Sequence, residues 1–195
     1  MMDTSQNATN DSIRNLRKEF FAFRNGIIAD KLRAAGDPHA MIMGCLLADI
    51  VAITSRAREA IGDDNKLAAI AQELWKDTNS RECRLAAPLL FPPELMSQEL
   101  ALNWCQNIET IEVADNLCHK LLRHIPGSSE IMNQLIAQTE PMAKYTGYRL
   151  MQGLLVMGKL QPTPAIISTV EAEAACAQSP LSRLLDDVLE SLKEE

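Results

Sequence analysis

A short Leu-rich pattern recurs along the chain at a regular interval, and it constrains the fold more than any other feature. The segment 84–90, RLAAPLL, is matched by the later segment 149–155, RLMQGLL. The pair Leu121-Leu122 lies about midway between the two segments. Half of the interval between them is the length of two short helices with their turns, and periods of roughly 30 to 47 residues are typical of helical repeats. The recurrence therefore predicts a stack of helix pairs.

The composition favours helices throughout. The 195 residues include 25 Leu and 24 Ala, the two best apolar helix formers. Apolar residues at helical spacing predict ten helices and no strand, the first from Ser12 to about residue 35 and the second from His39 to Ala60. We therefore predict an all-α fold, a curved α-solenoid of antiparallel helix pairs of the HEAT-like type. Residues 1–11 are predicted to be disordered, and residues 12–195 to form a single domain.

The charge is unevenly distributed along the chain. The net charge of −7 argues against a generic nucleic-acid or anionic-membrane binder, because such partners are normally met by a basic surface. The blocks 59–116 and 161–195 carry net charges of −7 and −5, whereas 1–58 and 117–160 carry +2 and +3. DNA binding therefore requires that the two basic blocks share a face.

The cysteines and the N-terminus indicate a reducing, cytoplasmic setting. Five cysteines, at positions 45, 83, 105, 118 and 176, include no C-x-x-C pair, so a disulfide framework is not expected. The first residues lack both the basic and the apolar region of a secretory signal, and no apolar run is long enough to cross a bilayer. We predict a cytoplasmic protein without a membrane partner.

Polar residues recur at equivalent positions of the second helix of each predicted pair. Aligning these helices groups Arg84, Asp115, Asn116, Tyr148 and Arg149 on one face. A carboxylate, two guanidinium groups and a phenol in one groove could bind a phosphate backbone, with the carboxylate stabilising a cationic transition state. The same residues could instead tie neighbouring repeats together through ion pairs and hydrogen bonds. Spacing alone leaves both roles open.

Between residues 65 and 160 the sequence resembles the AlkD-like DNA alkylation repair glycosylases. The resemblance rests on 73–75 (ELW), 80–87 (SRECRLAA), Trp104 and 111–118 (IEVADNLC). It implies a curved HEAT-like solenoid that holds duplex DNA on its concave face and excises positively charged alkylated purines. Because that excision needs charge stabilisation rather than redox or metal chemistry, no cofactor is expected.

The resemblance also implies roles for individual residues. The family motif Trp-Asp-x-x-Asp reads here as 111–115, IEVAD, so its catalytic Asp corresponds to Asp115 and its Trp to Ile111. Arg149 matches the family's phosphate-contacting Arg, and Arg84 and Asn116 are further candidate DNA contacts. Tyr145 or Tyr148 would replace part of the missing aromatic surface, which attracts cationic bases.

The remaining polar residues give weaker signals. His119 and His124 are not the i, i+4 pair that puts two ligands on one helix face, so no metal site is predicted. With Lys120 and Arg123 they form a basic cluster at a predicted helix C-terminus, where the helix dipole favours cations. Two functions stay open: a duplex-binding repair protein, with or without glycosylase activity, and a HEAT-like scaffold that binds a protein partner. The oligomeric state is left open too.

Overall fold

The described part of the chain is built from α-helices. A computed structural model describes the backbone of residues 2–193 and the side chains of residues 7–193. The eleven α-helices of this part are α1 (Met2–Ala22), α2 (Gly26–Ala34), α3 (Leu47–Ile61), α4 (Asp64–Lys76), α5 (Arg81–Leu90), α6 (Gln98–Gln106), α7 (Ile111–Lys120), α8 (Ser128–Ile136), α9 (Pro141–Val156), α10 (Pro164–Ala174) and α11 (Leu181–Lys193). No strand occurs in residues 2–193, so the all-α prediction is confirmed. None of the helices in this range is both long enough and apolar enough to cross a membrane.

The helices recur at a regular interval. Helices α5, α7 and α9 begin at positions 81, 111 and 141, so their starts are equally spaced along the chain. Consecutive helices pack on each other, α4 on α5, α8 on α9 and α10 on α11. Side-chain oxygens of Asp63, Ser80, Ser97 and Thr110 cap the helices that follow them, which satisfies backbone N–H groups that have no partner within the helix.

The chain forms two compact units, with the boundary between Met96 and Ser97. In the first unit α1 packs on α3 and α4, and both of these pack on α5. In the second unit α9 is central, because α7, α8 and α11 all pack against it. The indoles of Trp75 in the first unit and Trp104 in the second are both buried. The boundary predicted at residue 11 falls inside α1.

The predicted helices over 12–35 and 39–60 were each wrong in part, and α1 already begins before residue 12. The first is interrupted after Ala22, and Asn25 then caps α2 by accepting hydrogen bonds from the amides of Ile27 (3.1 Å) and Ile28 (3.3 Å). The second begins only at Leu47. Residues 39–46 form instead a non-helical segment, which we call the 39–46 loop.

The buried carboxylate of Glu82 explains why the 39–46 loop is not helical. Its Oε2 accepts a hydrogen bond from the amide of Met43 (3.1 Å), and its Oε1 accepts from Gly44 (3.0 Å) and Cys45 (3.3 Å). Arg81 Nη1 pairs with the same Oε1 at 3.0 Å and donates to the carbonyl of Cys45 at 3.1 Å. Backbone groups that a helix would satisfy internally are therefore satisfied by an ion pair from α5.

Gly44 is the position in the 39–46 loop where only glycine fits. Its φ of +77° lies in the left-handed region, which residues with a Cβ rarely adopt. A Cβ there would lie 2.7 Å from the backbone nitrogen of Ala29 and closer still to the carbonyl oxygen of Asn25. The loop thus packs directly on the start of α2.

We expect Glu82→Gln to destabilise the first unit by about 3 to 5 kcal/mol, because Arg81 would then be a buried charge without its anion. The amide NH2 group would also oppose the amides of the 39–46 loop. Glu73→Gln is the matched control, since Glu73 forms an exposed pair with Lys76 and should cost less than about 1 kcal/mol. Urea unfolding measures the free energy of unfolding of each variant. Equal losses of stability in the two variants would contradict the role that we assign to Glu82.

Candidate functional site

Helices α7 and α9 bring three of the predicted site residues together. Arg149 Nε lies 3.1 Å from Asp115 Oδ1, and the Tyr145 hydroxyl donates a hydrogen bond to the same oxygen at 3.0 Å. The side chains of Asp115 and Arg149 are 36% and 33% exposed, whereas Tyr145 is buried. The carboxylate is therefore held by two partners from α9 and still reaches the surface.

The environment of Asp115 acts on its pKa in opposing directions. Partial burial raises the pKa above the ordinary value of 3.8, and the negative charge of Glu112 raises it further. Arg149 and the Tyr145 hydroxyl lower it but do not cancel the effect of burial. Burial and the adjacent carboxylate also raise the pKa of Tyr145, so the phenol stays protonated and acts as a donor.

A small hollow of about 70 Å³ lies beside this carboxylate, and we call it the basic hollow. Its polar lining is His119 and Arg123 from the end of α7 and the following turn, and Arg149 and Gln152 from α9. Arg149 Nη1 donates to the side-chain oxygen of Gln152, so one guanidinium contacts both the hollow and Asp115. No carboxylate lines the hollow among the described residues.

Basic side chains surround Arg123. Its Nε donates to His124 Nε2 at 3.2 Å, its Nη2 lies 3.4 Å from His119 Nε2, and Lys159 Nζ donates to its carbonyl at 2.8 Å. Partial burial and the charge of Arg123 lower the pKa of both histidines, so the neutral form is favoured. The sequence predicts this cluster only as a complement to a helix dipole. The one available signal was the i, i+4 relation of Asp115 and His119, which puts both on one face of α7.

The other three predicted site residues have packing roles in this structure. Arg84, in the first unit, is 2% exposed, donates to the carbonyl of Trp75 at 2.6 Å and stacks 3.6 Å from the centroid of its indole. Asn116 and Tyr148, in the second unit, are also buried, and burial raises the pKa of Tyr148 to about 12. None of the three presents surface to a ligand.

Among the described residues, no group of three or more His, Cys, Asp and Glu side chains is arranged to hold a metal ion.

Comparison with known proteins identifies the family. A family model described as DNA alkylation repair enzyme matches residues 16–151, or 136 of the 195 residues. The chain belongs to the DNA alkylation repair enzyme family. No curated protein and no solved structure matches it. The part matched to this repair family includes Asp115, Tyr145 and Arg149.

We expect the pKa of the Asp115 carboxyl in this repair-family protein to lie above 3.8. In Tyr145→Phe we expect a still higher pKa, because the substitution removes a hydrogen bond to the charged carboxylate. Because the folded state then holds a proton that the unfolded state has lost, Asp115 contributes stability below pH 3.8 that is lost as the pH rises through the folded pKa. Carboxyl NMR titration measures the pKa. Urea unfolding across the same range should show that Asp115→Asn lacks this loss, and a pKa below 3.8 would refute the account.

Proposed function

We propose that this protein binds duplex DNA through the surface of α7 and α9 and that Asp115 stabilises positive charge during excision of an alkylated purine. One observation carries the proposal: a partly exposed carboxylate lies beside a cluster of cations in a member of a DNA alkylation repair family. The cations would contact phosphates, and the carboxylate would act on the sugar.

Local charge in the second unit supports DNA contact, and this proposal does not use the face shared by two basic blocks that the net charge suggested as a requirement. Phosphate oxygens pair with Arg and Lys side chains. At physiological salt, charges farther away than a Debye length of about 8 Å are largely screened, so nearby charges determine whether a phosphate binds. Arg123, Arg149 and Lys159 lie in or beside the basic hollow, within the block 117–160 that carries +3. The net charges of −7 and −5 belong to residues 59–116 and 161–195, and of the first of these blocks only the start of α7 contributes to this surface.

The proposed chemistry needs charge stabilisation above all. An alkylated purine already carries a positive charge, so it leaves as a neutral base when the N-glycosidic bond breaks. The sugar then becomes electron-deficient, and a carboxylate in a partly buried site stabilises it more strongly than the same group in water. Water adds to C1′ of the sugar, and its proton passes to solvent or to Asp115. Arg149 and Tyr145 would hold the carboxylate in position for this step.

A non-catalytic role is the second candidate, and the Asp115 contacts themselves favour it. Both partners of the carboxylate come from α9, so the same bonds would hold α7 on α9 without any chemistry. Such a module would recognise DNA shape or bind a protein partner as a scaffold, a use to which helical repeats are suited.

The decisive experiment measures excision of 3-methyladenine and 7-methylguanine from a duplex oligonucleotide. We expect release by the wild type and a loss of about 100-fold or more in Asp115→Asn, as when a preorganised charge-stabilising group is removed from other enzymes. Asp186→Asn is the matched control, because Asp186 is exposed on α11 and outside the site. Absence of excision with retained duplex binding would establish the non-catalytic DNA-binding role.

DNA binding is tested separately through its salt dependence. Each phosphate neutralised adds about 0.9 to the slope of log affinity against log salt, so Arg123→Gln and Lys159→Gln should each reduce the slope by about that amount. Arg183→Gln, which changes an exposed cation of α11, should leave the slope unchanged. Fluorescence anisotropy with a labelled duplex gives the slopes. If the wild type does not bind duplex at about 50 mM salt, the DNA-binding proposal fails.

A further inference from the structure

The first unit carries a patch of exposed apolar side chains that the proposed DNA site does not use. Phe21 is 57% exposed and Met41 is 49% exposed. Together with Met43 they line two adjoining hollows of about 670 and 720 Å³. We call these hollows the Phe21–Met43 groove. Contiguous exposed apolar surface of this kind marks interaction sites in soluble proteins.

The floor of the groove is held in place by the surrounding main chain. The Met41 amide donates to the carbonyl of Asn79 at 2.8 Å, and the Asn25 amide donates to the carbonyl of Met43 at 2.8 Å. Glu82 accepts from the amide of Met43 at 3.1 Å. Between the two methionines, Ile42 is buried. The backbone that carries Met41 and Met43 is thus already ordered. Binding of a partner would therefore lose little conformational entropy in this segment.

The rim of the groove is cationic. Five Arg and Lys side chains line the two hollows, and no Asp or Glu does so among the described residues. Three of these cations pair with carboxylates outside the groove. The other two are Lys18 and Arg24, for which the described residues provide no ion-pair partner, and Arg24 stacks 4.1 Å from the ring centroid of Phe21. An apolar floor beside uncompensated cations is complementary to a ligand that is both apolar and acidic.

We propose that the Phe21–Met43 groove binds an acidic amphipathic helical segment of a partner protein. The apolar stripe of such a helix, at i, i+3, i+4 and i+7, would bury Phe21 and Met41, and its Asp and Glu residues would reach Lys18 and Arg24. Methionine suits this role because its unbranched, polarisable side chain adapts to different apolar surfaces.

The apolar floor favours a peptide over the other anionic ligands. A nucleic-acid backbone would neutralise the rim but would place phosphates and sugars against Phe21 and Met41. An anionic bilayer would also bury exposed apolar side chains, but it would leave the two hollows beside them unfilled, whereas a helix can occupy them. The groove also belongs wholly to the first unit, so this interaction does not depend on the proposed DNA activity of α7 and α9.

The test is selection from a phage-displayed library of random peptides of about 16 residues, four to five helical turns, on the whole 195-residue chain. The double variant Phe21→Ser/Met41→Ser serves for counter-selection. Because both side chains are exposed, the double substitution removes the floor without opening a cavity. We expect the enriched peptides to be acidic and to carry apolar residues at helical spacing.

Binding of a synthetic enriched peptide is then measured by fluorescence anisotropy. We expect affinity to fall about 10-fold or more in the double variant and in Lys18→Glu/Arg24→Glu. Leu95→Ser and Lys66→Glu are the matched controls, an exposed apolar side chain and an exposed cation of the same unit outside the groove, and both should leave affinity unchanged. Thermal unfolding verifies that every variant is folded.

Three results would overturn the proposal. Peptides that bind the double variant as well as the wild type would show that the groove is not the site. Enriched peptides that are neutral or basic would refute the ligand class. Binding of duplex DNA or of phosphatidylserine vesicles that the double variant abolishes, without selection of acidic peptides, would assign the groove to nucleic acid or lipid instead.

Discussion

The first unit depends on one buried ion pair. Glu82 accepts hydrogen bonds from backbone amides of the 39–46 loop, and Arg81 donates one to a carbonyl of the same loop. The two buried charges therefore neutralise each other and also satisfy polar backbone groups of the loop. The loop in turn sets where α3 begins and presents Met41 and Met43 to the surface. An interaction inside α5 therefore determines the shape of a surface formed by α1 and the loop.

The same pair explains which part of the fold could be predicted from the sequence. The side-chain caps at Asp63, Ser80, Ser97 and Thr110 are local signals, which a sequence can show because a cap needs only its own turn. The 39–46 loop was misread because its apolar residues have helical spacing, while the carboxylate that unwinds it lies far along the chain, on α5. Gly44 is the residue within the loop that marks the absence of a helix, because its φ lies in the left-handed region.

The structure brings together three of the six predicted site residues, Asp115, Tyr145 and Arg149, and the register of the helices explains why the other three lie elsewhere. Because α7 starts at position 111 and α9 at position 141, Asp115 and Tyr145 are the fifth residues of these helices, and His119 and Arg149 the ninth. Equivalent positions therefore meet where α7 packs on α9. The Leu pairs at 89–90, 121–122 and 154–155 suggested a longer interval, which matched Arg84 to the wrong positions. No sequence signal separates a buried Arg stacked on Trp75 from an exposed one.

Arg149 links the two halves of the proposed DNA site. Its Nε holds Asp115, and the rest of its guanidinium lines the basic hollow, so it cannot respond to a phosphate without affecting the carboxylate. A phosphate in the hollow would compete with Asp115 for this one cation and weaken the influence that lowers the pKa of Asp115. At neutral pH the carboxylate would then be less neutralised by its protein partner and better able to stabilise a cationic sugar. The proposed DNA binding and the proposed charge stabilisation would in this way be coupled through a single side chain.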